Sequence, residues 1–212
     1  ISRHIVVRTV SLLIIGVLML NSGRVNAELT GMSRNLWAVL MYTGVFLVWN
    51  NYPDSDNKFF TVTGLKLLGM ALLTFLVFRF NSGQEANGGS LITGWWGILG
   101  LIGWGYLVSA LVYLAIRENI LNTIVALLFF LLLNILSKLD LLESLNPVKP
   151  ILGVIIEGNV PFIVISGLLI TLILKKVSSD HRKTIITITA IGIFCIIAGF
   201  VLRNWFIISK IQ

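Results

Sequence analysis

Charge is what this sequence has least of. Lys, Arg, Asp and Glu make up 12% of the 212 residues, against 57% hydrophobic. A soluble globular domain is nearer a quarter charged. So few charges cannot cover a water-soluble fold of this size, and lipid must solvate much of its surface. Cysteine is almost missing: Cys195 stands alone inside an apolar run. That excludes an intrachain disulfide and a thiolate metal cluster, and leaves it as a small apolar helix residue. Histidine is scarce as well. His4 and His181 lack a second ligand at metal spacing, such as a His four residues away with a Glu between. His181 lies in the charged loop Ser178-Ser179-Asp180-His181-Arg182-Lys183. No metal site is expected. The net charge of +7 is spread between apolar stretches, where basic residues orient helices and meet anionic headgroups. No basic face with interleaved polar residues exists, so nucleic acid is not an expected partner; the bilayer is.

What the sequence has in quantity is long apolar runs. A membrane helix needs roughly 20 apolar residues at about 1.5 Å each to cross about 30 Å of hydrocarbon. Runs that predict such helices cover Ile5–Asn21, Asn35–Asn51, Phe60–Phe78, Trp95–Ile116, Ile120–Leu136, Val160–Leu174 (entered from Ile151) and Thr184–Leu202. The second is short and rich in Trp and Tyr. Backbone groups in lipid must be satisfied internally, which favours helices. Alternating barrel strands do not fit continuous runs such as Ile120–Leu136. The expected fold is all-α: one polytopic transmembrane bundle over 1–212 with about seven spans. Polar connections separate them, including Asn51–Asn57 with Pro53, the flexible Asn81–Ser90 and the tight turn Arg117-Glu118-Asn119. Leu139–Gly158, with Pro147 and Pro150, is the longest irregular stretch.

With seven spans, the N-terminal side collects Arg3, Arg8, Lys58, Lys66, Arg117, Lys175, Lys176, Arg182 and Lys183. The opposite side collects Arg24, Arg34, Arg79, Lys138, Lys149, Arg203 and Lys210. The dense cluster Lys175–Lys183 predicts that the N-terminus and that loop are cytoplasmic. A signal peptide is a poor reading of the first run, although Ser22–Ala27 mimics a small-residue cleavage site. A start at Ile1 and an end at Gln212 read as cuts from something longer.

Polar groups at membrane depth are costly and are therefore functional candidates. Arg8 and Lys66 stand near enough to helix ends to snorkel. Asn134, late in its run, is placed for an interhelical hydrogen bond. Glu157-Gly158-Asn159 precedes Pro161, which suits a helix's first turn. There Glu157 either stabilises the positive helix end or serves as a carboxylate near an outward cavity. Gly97, Gly100 and Gly103 recur at every third position and predict a close-packing seam, one that serves a dimer as well as a bundle. No Lys-Ser/Thr follows them, so they are not a phosphate loop. Asp54 with Asp56, and Asp140 with Glu143, are paired only in loops. Spacing alone names no reaction and no catalytic residue.

Several stretches resemble the heparan-α-glucosaminide N-acetyltransferase-like family of transmembrane acyltransferases, and its Bacteroidetes-type relatives most. Arg3–Leu13 running on to Gly16 and Asn21 is similar to the family's basic-flanked helix ending in Leu-Asn. Trp96–Leu107 is similar to its Gly-Val-Leu-Gln-Arg-Ile-x-x-x-Tyr-Leu helix. Glu157-Gly158 before Pro161 resembles its Glu-Gly…Pro element, and Trp205–Lys210 its Lys-containing segment. The resemblance implies transfer of an acetyl group from cytosolic acetyl-CoA to an amino sugar or other saccharide on the far side of a bacterial inner membrane. It implies Glu157 and Lys210 as outward site-lining residues, and Arg24 and Arg34 as contacts for coenzyme A phosphates or as interfacial anchors. It also implies a longer protein, with earlier helices bearing a histidine that this chain lacks. Where the family helix has Gln-Arg, this chain has Gly100-Leu101. The alternative is a non-catalytic membrane relative, a transporter or a subunit of a complex.

Overall fold

A computed structural model describes residues 2–52, 59–84 and 88–205. Its elements are α1 (Ser2–Ser22), α2 (Ala27–Thr30), α3 (Arg34–Trp49), α4 (Phe59–Arg79), α5 (Gly97–Ile116), α6 (Ile120–Lys138), α7 (Lys149–Ile156), α8 (Asn159–Val177) and α9 (His181–Trp205). There is no strand among the described residues. The chain is an all-α integral membrane protein, and among the described residues six helical segments are long and apolar enough to cross a bilayer. The predicted second span falls outside that six because α3 has only 16 residues, about 24 Å of helix. It nevertheless packs along α4.

The chain divides into two compact units, Ile1–Gly103 and Trp104–Gln212, with α5 running through the boundary. In the first unit, α3 and α4 pack antiparallel around Leu18, Trp37, Met41, Leu73, Leu76 and Phe80. Lipid tails are as apolar as leucine, so close backbone approach and hydrogen bonds must hold such helices together. Gly44 and Gly69 provide the approach: a Cβ on Gly69 would stand 2.9 Å from the Gly44 carbonyl. Trp37 provides the bond. Its indole Nε1 donates to the Leu76 carbonyl at 3.3 Å, and its ring meets Phe80 edge-on at 5.9 Å. Leu76 lies in the last turn of α4, where carbonyls lack intrahelical partners. Trp37→Phe keeps most of the apolar bulk but orphans that carbonyl. It should destabilise the protein by about 1–2 kcal/mol in equilibrium unfolding in detergent, and an unchanged midpoint would refute this role for the indole. At the far end of α3, the Lys66 ammonium lies over the Tyr52 ring, 5.9 Å from its centroid, which gives the cation an aromatic partner.

The glycine seam packs within this unit. Cβ atoms on Gly100 and Gly103 would approach Leu13 and Leu12 of α1, and one on Gly97 would stand 2.7 Å from the Gly16 carbonyl. The helix begins at Gly97, not at the predicted Trp95, because Trp96 and Gly97 are both left-handed, with φ of 68° and 66°.

In the second unit α8 runs antiparallel to α6. Gly158 sits against Phe130 and Asn134 at one end, and Lys175 pairs with Glu118 beside α6's first residue at the other. Between them Val108, Phe130 and Ile165 form a small core. Gly105 lies on Val160 and Val164. Asn119 caps α6 through a bond from the Asn122 amide at 3.1 Å. The last helix, α9, packs on α8 and turns an apolar face outward, with Phe194 70% and Phe200 66% exposed. Only lipid or another apolar surface satisfies such a face.

Candidate functional site

Two polar places stand out, one in each unit. In the first unit, Asn21 lies in the last turn of α1, and its buried side chain holds the chain approaching α5. Its Nδ2 donates to the Val17 and Ile92 carbonyls, both at 2.8 Å, and its Oδ1 accepts from the Ile92 amide at 3.1 Å. The next segment is held equally firmly. Asn26 caps α2 by accepting from the Glu28 and Leu29 amides, and its own amide donates to the Asn81 carbonyl at 2.9 Å. The fully buried Thr30 donates its hydroxyl to the same carbonyl at 3.2 Å.

This asparagine scaffold carries three arginines. Arg24, half-buried in the turn after α1, donates to Oε1 of Gln84. Arg34 opens α3 and is exposed; its guanidinium Nη2 would stand 3.2 Å from a Cβ on Gly23. Arg79 closes α4 and donates to the Thr30 carbonyl at 2.9 Å. Gly31, at φ 74°, leaves room for it. The fold therefore places the predicted Arg24 and Arg34 on the same connection, and adds Arg79, bonded to it, and Gln84, the partner of Arg24. The charge pattern of the sequence puts Arg79 on the same side as the pair but assigns it no role. None of the three arginines pairs with a carboxylate among the described residues.

In the second unit, the predicted run Val160–Leu174 lies within α8, but its entry from Ile151 is a separate helix: within the apolar segment Lys149–Val177, α7 stops at Ile156 and α8 starts at Asn159. Gly158, at φ 68°, makes the break. Asn134 secures it, donating its side-chain amide to the Glu157 carbonyl at 3.0 Å; this is the bond that its position predicts. The Oδ1 of Asn159 is buried and has no partner among the described residues. The Glu157 side chain is exposed at the break, close to the N-terminus of α8. Pro161, buried, falls in that helix's first turn as predicted. The break lies beside Phe130–Asn134, four to eight residues before the end of α6, so it is about 6–12 Å inside that helix's end at 1.5 Å per residue. Interrupted helices of this kind expose carbonyls and amides where a ligand can meet them.

Lys210 lies outside the described residues, as do Asp54 and Asp56. Asp140 and Glu143 are exposed in a surface turn. No group of three His, Cys, Asp or Glu side chains that could hold a metal occurs among the described residues. Comparison with protein-family models, with curated proteins and with solved structures finds no match.

Proposed function

We propose that the chain is the membrane domain of an acyltransferase that moves an acetyl group from acetyl-CoA to an amine or hydroxyl of a saccharide across the membrane. In such a transfer the thioester C–S bond breaks and a C–N or C–O bond forms. The acceptor gives up a proton to a base and the leaving thiolate takes one up. The observation that carries the reading is the helix break at Glu157–Gly158. A carboxylate and an orphaned amide oxygen occur together at a helix break within an otherwise apolar segment. Hydrogen-bond acceptors of this kind suit the hydroxyls and amine of a sugar. Glu157 then lines the acceptor site, on the side that the charge pattern makes outward. Arg24 and Arg34 fall on that same side, away from cytosolic acetyl-CoA, and the reading does not need them as coenzyme contacts.

Direct binding of acetyl-CoA to the purified full-length protein is the first test; no binding removes the acyltransferase. Glu157→Gln should raise the KM for the saccharide at least tenfold while leaving acetyl-CoA affinity unchanged. An unchanged KM would sink the role of Glu157. A second reading draws on the same break: transporters bind substrates at interrupted helices. It predicts saccharide flux into proteoliposomes with no consumption of acetyl-CoA.

A further inference from the structure

The arginine-bearing end of the first unit needs an explanation of its own. Three arginines lie at the connection between α1 and α3: Arg24 is part of it, the Arg34 guanidinium lies by Gly23 and Arg79 donates to the Thr30 carbonyl. Glu28 is the one acidic residue of that connection, and among the described residues it pairs with none of them. Arg34 also sits at a helix N-terminus, where the dipole disfavours a cation. Like charges on one short connection repel, and an anion beside them relieves the repulsion. The scaffold keeps the groups from dispersing. Arg24 and Arg79 are each tethered to a neutral oxygen, of Gln84 and Thr30, while Asn21, Asn26 and Asn81 fix the backbone beneath them. A guanidinium has five N–H donors, so each tethered arginine retains donors for a phosphate, the anion that its fork fits best.

The surroundings select the kind of phosphate. The same helix ends expose large apolar side chains: Phe78 is 84% exposed, Val39 61%, Leu29 58% and Leu36 49%. A soluble phosphate has no use for these. A molecule with a phosphate at the helix ends and hydrocarbon running down the helices uses both. A zwitterionic headgroup would bring an ammonium to a place that, among the described residues, holds three cations and one carboxylate. We propose that the Arg24–Arg34–Arg79 end is a binding site for the headgroup of an anionic phospholipid, with its acyl chains lying on the exposed faces of α3 and α4. The site is independent of acyl transfer and stands or falls separately.

The test uses the full chain in nanodiscs of phosphatidylcholine, with phosphatidylglycerol added in steps to 30 mole per cent at roughly 0.15 M salt, near physiological ionic strength. Retained lipid is counted by native mass spectrometry and the unfolding midpoint is read in parallel. Phosphatidylglycerol should bind at least tenfold more tightly than phosphatidylcholine and raise the midpoint. Arg34→Gln, an exposed position whose loss spares the scaffold, combined with Arg79→Lys, which keeps a donor and the charge but not the fork, should lose at least tenfold of that preference. Lys183→Gln, on the second unit, should lose none. Equal binding of the two lipids would overturn the proposal, as would arginine variants that retain the preference. If inorganic phosphate or glycerol 3-phosphate protects the midpoint as well as the lipid does at equal concentration, the acyl chains contribute nothing and the lipid assignment fails.

Discussion

Replacing Gly158 with alanine is expected to destabilise the protein by about 3 kcal/mol. Two costs add. The residue sits at φ 68°, and a left-handed conformation costs a non-glycine residue roughly 1–2 kcal/mol. The new methyl group would also press on α6. It would lie 3.0 Å from the Asn134 amide nitrogen and 3.1 Å from Leu133 Cβ, with the Phe130 carbonyl oxygen closer still. Overpacking against backbone that cannot move aside costs typically about 1–3 kcal/mol. Gly153→Ala is the control. That residue is helical, and its new Cβ would meet only Lys149 Cβ at 3.9 Å, so helix propensity should leave it neutral or up to about 1 kcal/mol more stable. Equilibrium unfolding of both variants in mild detergent separates them. A Gly158→Ala protein as stable as wild type would mean that α6 and α8 do not approach closely at the break. If Glu157 lines an acceptor site, the same variant should also impair saccharide use, because its carbonyl is held by Asn134 across this contact.

The helices were legible because hydrophobic length is a strong signal: each of the seven predicted runs contains a helix, with ends within a few residues of those expected. The breaks were less legible, for local reasons. The stretch Leu139–Gly158 reads as irregular from its prolines and polar residues, and nothing in that pattern says that it holds a helix, α7, parted from α8 at Gly158. The interruption follows from one glycine wedged against Phe130 and Asn134, a tertiary contact. The late start of α5 has a similar cause. A Trp in the left-handed region is sterically costly, and Trp96 adopts it where the backbone of Gly97 crosses that of Gly16. The arginine cluster was half visible. Arg24 and Arg34 stand out in the sequence as basic residues at helix ends, but their meeting, and the arrival of Arg79, depend on hydrogen bonds among asparagines. In a sequence, Asn in a connection signals a turn and no particular partner.

Asn21→Ala tests that last point most directly. The amide is fully buried and makes three hydrogen bonds, two of them to the backbone of Ile92. Alanine removes all three and leaves the Ile92 N–H and C=O without those partners. An unsatisfied buried group costs about 1–3 kcal/mol, so the variant should lose about 3 kcal/mol, local or global. Hydrogen exchange distinguishes these. If Asn21 pins the chain before α5 to the end of α1, the Ile92 amide should exchange roughly a hundredfold faster, since each 1.4 kcal/mol is tenfold, while the Gly105–Val108 amides of α5 hold their rate. Ser22→Ala, which removes only an exposed bond to the Met19 carbonyl, should change neither. Faster exchange at Ile92 should also loosen Asn81 and Gln84, which lie between α4 and that anchor and hold Thr30 and Arg24. Preference for anionic lipid should therefore fall in Asn21→Ala although no arginine is touched. A variant with unchanged exchange at Ile92 would show that the connection is held by its other bonds, and that the basic end does not depend on this asparagine.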